Sequence, residues 1–131
     1  MKRNSLENPI YTRVEEKLNE VGKGMCLAKW TQVTLQLQTG HNHSCHHPRT
    51  HKINKNEIKR NPSALHNTQY KKLRRREMLT GKRPEECDYC WNVEDNSDRF
   101  SDRVFKSTES WSLPHFDEIV NQDWREDFNP R

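Results

Sequence analysis

Four cysteines, Cys26, Cys45, Cys87 and Cys90, lie in a chain of 131 residues of which only 30% are apolar. A chain of this length forms one domain comfortably and two with difficulty. So little apolar material builds a thin core, so a metal or a partner is expected to supply part of the stability. Full disorder is the opposite expectation, and a net charge of only +4 together with four tryptophans speaks against it. No apolar run approaches the ~20 residues of a membrane span. The opening Met1 to Glu7 lacks the apolar segment of a secretory signal. A cytoplasmic, reducing setting is therefore expected, where thiols serve as ligands more naturally than as disulfides.

The spacing of the cysteines carries the chemistry. Cys87 and Cys90 are three positions apart, so two thiolates on one turn can grip an ion or a cluster with little strain. Cys26 and Cys45 complete a set of four with none left over. Both zinc and an iron–sulfur cluster accept four thiolates, and the formal charge of the site does not separate them. The competing reading is four buried thiols acting as small hydrophobes. Polar neighbours, Ser44 and His46 about Cys45 and Glu86 and Asp88 about Cys87, argue against it. Five histidines crowd into residues 41 to 51. His46 or His47 could replace a distant cysteine in a zinc site, and His47 could donate to a sulfur from outside the ligand set. His41, His43 and His51 read as a solvated turn.

Local patterns place these residues. Asn8-Pro9 reads as an N-cap and first-turn proline, and Ile10, Val14, Leu18 and Val21 follow at helical spacing until Gly22 and Gly24. Val33, Leu35 and Leu37 alternate with polar residues over Thr31 to Gln38, which predicts a half-buried strand. The turn at Thr39 to Asn42 then returns the chain through His43 to His47 as a hairpin. Residues 49 to 62 read as a loop with at most one helical turn. Ser63 to Thr80 reads as one helix, capped by Gly81 and stopped by Pro84. Residues 92 to 110 have linker composition, and Pro114 to Phe128 holds a short helix with Phe116, Ile119, Val120 and Trp124 on one side.

Lys71, Lys72, Arg74, Arg75 and Arg76 form a basic run. Its simplest reading is a solvated helix face, and its sharper one a nucleic-acid surface. The low net charge and Glu77, which interrupts the run, speak against the second. No acidic pair is spaced to hold a catalytic metal for a nuclease.

The arrangement of Cys26, thirteen residues, Gly40, four residues and Cys45 resembles the Cys-x(9–15)-Gly-x(4)-Cys opening of SPASM and twitch domains. These are the auxiliary-cluster domains of radical S-adenosylmethionine (radical SAM) enzymes. The run Cys26-Leu-Ala-Lys-Trp30 resembles their cysteine–tryptophan start, and Tyr70 to Cys90 resembles their helix followed by a second cysteine pair. The likeness covers residues 25 to 92 and is nearest to the phage and bacterial type with the twitch domain ahead of the catalytic barrel. It implies one auxiliary 4Fe–4S cluster held by Cys26, Cys45, Cys87 and Cys90. It also implies a radical SAM catalytic domain as partner, in cis or in trans, with the cluster serving electron transfer or substrate positioning. The Cys-x-x-x-Cys-x-x-Cys motif that cleaves S-adenosylmethionine is not in this sequence, nor are a barrel's alternating strands and helices. Catalysis by these residues alone is therefore not expected.

The expected fold class is α+β: a small metal-stabilised domain with an N-terminal helix, a β-hairpin, a helix, a cysteine turn and an extended C-terminal tail. Residues 1–24 would be the helical segment, 25–92 the twitch-like cluster-binding domain, and 93–131 a linker leading toward a missing catalytic domain. The alternative is a four-cysteine zinc module that binds nucleic acid through the Lys71–Arg76 helix.

Overall fold

A computed structural model describes residues 9–45 and 47–129. The proposed cap Asn8, the candidate ligand His46 and the last two residues lie outside them. Helix α1 spans Pro9–Val21, as its periodicity predicts, and buries Val14 and Leu18. The chain then turns inward through Met25, Cys26 and Leu27, all buried, into the short helix α2, Ala28–Thr31. Trp30 on α2 is 1% exposed and anchors this stretch in the core.

Three short strands follow, β1 at Thr34–Gln36, β2 at His41–His43 and β3 at His51–Lys52. They pair antiparallel in the order β1-β2-β3, with Leu35 opposite Asn42 and Asn42 opposite His51. Gly40 takes a left-handed φ of 72° at the hairpin turn, a conformation that favours glycine. A hairpin is present, but its returning arm is β2, His41–His43, rather than the expected His43 to His47, and the expectation of a half-buried strand from Thr31 to Gln38 is overturned. All of β1 is exposed, and Leu37 is 78% exposed. Alternation specifies a two-faced ribbon; here the face that carries Leu35 and Leu37 is exposed along with the other. The sheet is tied down through β2 instead, where fully buried Asn42 donates from Nδ2 to the carbonyl of Leu65 at 2.7 Å. Strand β3 and helix α3, Lys55–Arg60, occupy the stretch read as loop.

The helix predicted over Ser63 to Thr80 is broken in two. A 3-10 turn at Pro62–Leu65 precedes α4, Gln69–Leu79, and the hydroxyl of Thr68 caps α4 by accepting from the Lys71 N–H at 3.1 Å. The sequence contains this N-cap, but strong helix formers on both sides mask it. At the far end Lys82 N–H bonds the Glu77 carbonyl at 2.8 Å and Gly81 N–H bonds that of Met78 at 3.3 Å. With Gly81 at φ 85°, this is a Schellman cap. A 3-10 turn, Glu85–Cys87, leads into α5, Asp88–Asn96, so the cysteine turn is the start of a helix.

The linker and extended tail expected after residue 92 are also corrected. Helix α6, Asp102–Thr108, packs on α1 and α2, and α7, Phe116–Asn121, follows a 3-10 turn at Leu113–His115. Phe100, Val104, Phe116, Ile119 and Phe128 join Val14, Leu18, Met25, Leu27, Trp30, Met78 and Trp91 in one core. That core draws on all three segments divided above. Composition misled here because Ser101, Arg103 and Ser107 are at most 1% exposed yet hydrogen-bonded, so polar residues lie where solvent was expected. The fold is a small α+β domain, mostly helical, with one three-stranded sheet. No helix among the described residues is long and apolar enough to cross a membrane.

Candidate metal centre

The inward turn after α1 delivers Cys26, the bend that follows β2 delivers Cys45, and the 3-10 turn and first turn of α5 deliver Cys87 and Cys90. All four line one small cavity, with His47, Pro48, Trp91, Asp102, Arg103 and Lys106 completing its wall. Cys26, Cys87 and Cys90 are buried and Cys45 is half-buried, and none is in a disulfide. The cavity holds about 20 Å³ of water-sized room. Among the described residues no group of three or more His, Cys, Asp or Glu side chains is arranged to hold a metal ion as it stands.

The donors around the sulfurs suit thiolates. The backbone N–H of Ala28 points at Cys26, that of His47 at Cys45 and that of Arg103 at Cys90. The Ser107 hydroxyl donates to Cys26 Sγ at 3.9 Å. Burial pushes Cys26, Cys87 and Cys90 up to about 12 and raises Cys45 as well. Neighbouring sulfurs add repulsion at Cys26, Cys87 and Cys90, which favours the neutral thiol there. A metal would displace those protons, which makes loading pH-dependent. Lys29 is the cation set against them. It is 2% exposed, and its Nζ lies 2.9 Å from Glu86 Oε2. Burial alone would lower its pKa, but Cys87 and Glu86 outweigh that and raise it.

The rest of the wall is held rigidly. Trp91 Nε1 donates to the Pro84 carbonyl at 2.8 Å, and the Arg83 guanidinium lies 5.0 Å from its ring centre. His47 pairs through Nε2 with Asp102 Oδ2 at 2.5 Å and stacks on Tyr89 with ring centres 3.8 Å apart. The sequence reading offered the His47 side chain to a sulfur; its backbone N–H takes that place, while the ring faces a carboxylate. The other histidines of the turn are not merely solvated. His41 Nδ1 meets Thr50 Oγ1 at 3.0 Å, His43 Nδ1 meets the Cys45 carbonyl at 2.6 Å, and His51 Nε2 meets Thr68 Oγ1 at 2.7 Å. Lys29, Asp102, Arg103 and Ser107 were missed from sequence. Lys29 alone carried a signal, a charge inside the apolar run from Met25 to Trp30.

The basic run on α4 is not a solvated face. Lys71 is 1% exposed and Arg75 is fully buried. Lys71 Nζ donates to the Gln32 carbonyl at 2.9 Å and to His66 Nδ1 at 3.0 Å, while His66 Nε2 donates to the Trp30 carbonyl at 2.8 Å. Arg75 donates from Nε to the Lys29 carbonyl at 3.0 Å and from Nη1 to Asn67 at 2.7 Å. Lys72 is paired with Asp127, Arg74 with Glu77, and Arg76 lies over the Trp124 ring. This surface offers phosphates far less than five charges.

No protein-family model matches the chain, and neither a curated protein nor a solved structure matches it significantly.

Proposed function

We propose that this chain is an auxiliary iron–sulfur domain, with one 4Fe–4S cluster held by Cys26, Cys45, Cys87 and Cys90, working with a radical SAM catalytic domain in cis or in trans. The observation that supports it is the gathering of four thiols, spread over 64 positions of sequence, around one cavity whose backbone N–H groups face the sulfurs. The donor set has the chemistry a cluster requires, four sulfurs and hydrogen bonds to them. When bound, the cluster would supply one-electron transfer or an anchoring point for substrate. The chain's part is to exclude water with Trp91 and Pro48 and to fix the sulfurs from α2 and α5.

Anaerobic reconstitution of the purified chain should give about four iron and four sulfide per chain with a broad sulfur-to-iron charge-transfer band. On this reading residues 1–131 bind no S-adenosylmethionine and release no 5′-deoxyadenosine under reduction.

A second reading has one observation in its favour. The room of about 20 Å³ is nearer in size to one ion than to a cluster, and zinc takes four thiolates at about 2.3 Å. Stoichiometric zinc without colour, from cells replete with iron, would decide for it. Its nucleic-acid half does not carry over, because Lys71 and Arg75 are inside the fold.

A further inference from the structure

Only half of the Glu86 carboxylate is used by the fold. Its side chain is 10% exposed, and Oε2 takes the Lys29 ammonium at 2.9 Å. Burial opposes its charge, but Lys29 outweighs that, so the group is a carboxylate. The other oxygen, Oε1, is equally out of solvent and accepts no hydrogen bond. Burial and then this carboxylate raise the pKa of Tyr70, whose hydroxyl stays protonated without closing a hydrogen bond to Oε1. A charged acceptor left in this state is costly, which points to a donor from outside the chain.

Glu86 lines a cleft of about 340 Å³, the volume of a small-molecule site. The acidic side of the cleft comes from one segment, Glu85, Glu86 and Asp88, where the 3-10 turn runs into α5. The basic side comes from two others, Arg49 beyond the bend that carries Cys45 and Arg74 on α4. Arg74 is already engaged, by Glu77 at 2.6 Å and by the Tyr70 ring, whose centre is 4.9 Å from its guanidinium carbon. Arg49 is exposed and forms no ion pair among the described residues. His47, held by Asp102 and stacked on Tyr89, lines both this cleft and the thiol cavity, so the two adjoin. Walls of opposite sign favour a ligand that carries both signs. A dication would meet Arg49 and Arg74, and a dianion would meet Glu85 and Asp88.

We propose that this cleft binds a small zwitterion, whose ammonium donates to Glu86 Oε1 and whose carboxylate meets Arg49. The site does not depend on what the thiols hold. The test titrates the nitrogen-15-labelled full chain with three probes of equal length, 5-aminovalerate, cadaverine and glutarate, and follows the backbone amide shifts. 5-Aminovalerate should move the amides of Arg49 and of residues 85–88, and should bind roughly tenfold more tightly than the diamine or the dicarboxylate. Glu86→Gln should weaken it roughly tenfold. Arg49→Ala, at an exposed position that folding does not need, should weaken it about threefold. No shift at these amides with about 20 mM 5-aminovalerate overturns the proposal. So does cadaverine or glutarate binding as tightly, which would leave only a charged crevice. A folded Glu86→Gln of unchanged affinity overturns it too. Should Glu86→Gln fail to fold, Arg49→Ala decides, and an unmoved affinity there is equally fatal.

Discussion

Arg103 illustrates how a polar chain closes its core. Its guanidinium meets both carboxylate oxygens of Glu94, at 2.6 and 3.0 Å, the Met25 carbonyl at 3.0 Å and Asn19 Oδ1 at 2.5 Å. Arginine and carboxylate side chains are 1% and 4% exposed. Breaking such a pair from one side leaves a buried charge uncompensated, so Glu94→Gln should cost about 3–5 kcal/mol in urea unfolding. Replacing both partners by apolar residues of similar size should recover much of that loss. Histidine titration adds a pH dependence at the same scale. Burial, reinforced by Lys71 and Arg75, pulls His66 down to about 3, and burial pulls His51 down to about 4. Both folded values lie below the ordinary 6.5, so the neutral rings contribute stability that is complete above pH 6.5. It is lost progressively as the pH falls from there toward 4 and then 3. Denaturant midpoints between pH 7 and 4 should therefore fall with acid, and His66→Gln should flatten the slope.

Between elements, the close approach of two turns controls the packing. The turn after α1 lies directly on the cap of α4. A Cβ on Gly24 would stand 2.0 Å from the Lys82 carbonyl oxygen, and one on Gly22 2.6 Å from the Gly81 Cα. Gly81 has open space around it and needs glycine only for its φ of 85°. Gly81→Ala should thus cost about 1 kcal/mol. Gly24→Ala, which must displace main chain, should cost roughly 2–3 kcal/mol. Urea midpoints of the two variants check the order. The same scale governs α4, where Lys71 and Arg75 point inward and the remaining cations are paired or stacked. Binding of single- or double-stranded nucleic acid should be no tighter than about micromolar at physiological salt, with a shallow salt slope by filter binding.

For the molecule as a whole, three of the four cysteines belong to the apolar core itself, and Cys45 stands at its edge. The metal-free protein therefore retains a core, which a bound centre would reinforce by joining three distant segments. Cys45→Ser separates the two contributions. It should abolish metal loading while leaving the metal-free melting temperature within the range of a neutral surface change, about 0.5 kcal/mol. Cys26→Ala should lower the melting temperature of the metal-free form too, because it also opens a cavity in the core. Thermal melts with and without reconstitution measure both.

Those elements whose information is local were readable from the chain. The stripe Val14 and Leu18 specifies α1, Gly81 followed by Pro84 specifies the end of α4, and the turn about Gly40 specifies the hairpin. The four cysteines were legible as a set because an expected reducing setting and a small share of apolar residues point thiols toward ligation. What only the tertiary structure decided was which polar residues lie inside. Nothing in the composition around Asp102, Arg103 and Ser107 separates a solvated linker from a helix against α1, since the burial of Arg103 depends on Glu94, Asn19 and the Met25 carbonyl arriving from elsewhere. Lys71 and Arg75 looked like surface charge for the same reason. Their partners, the carbonyls of Gln32 and Lys29, lie some forty residues away in the chain. A helical period shows which residues share a face, and an apolar stripe shows when that face is buried. A face buried by hydrogen bonds has no such stripe, because its partners exist only once the chain has folded.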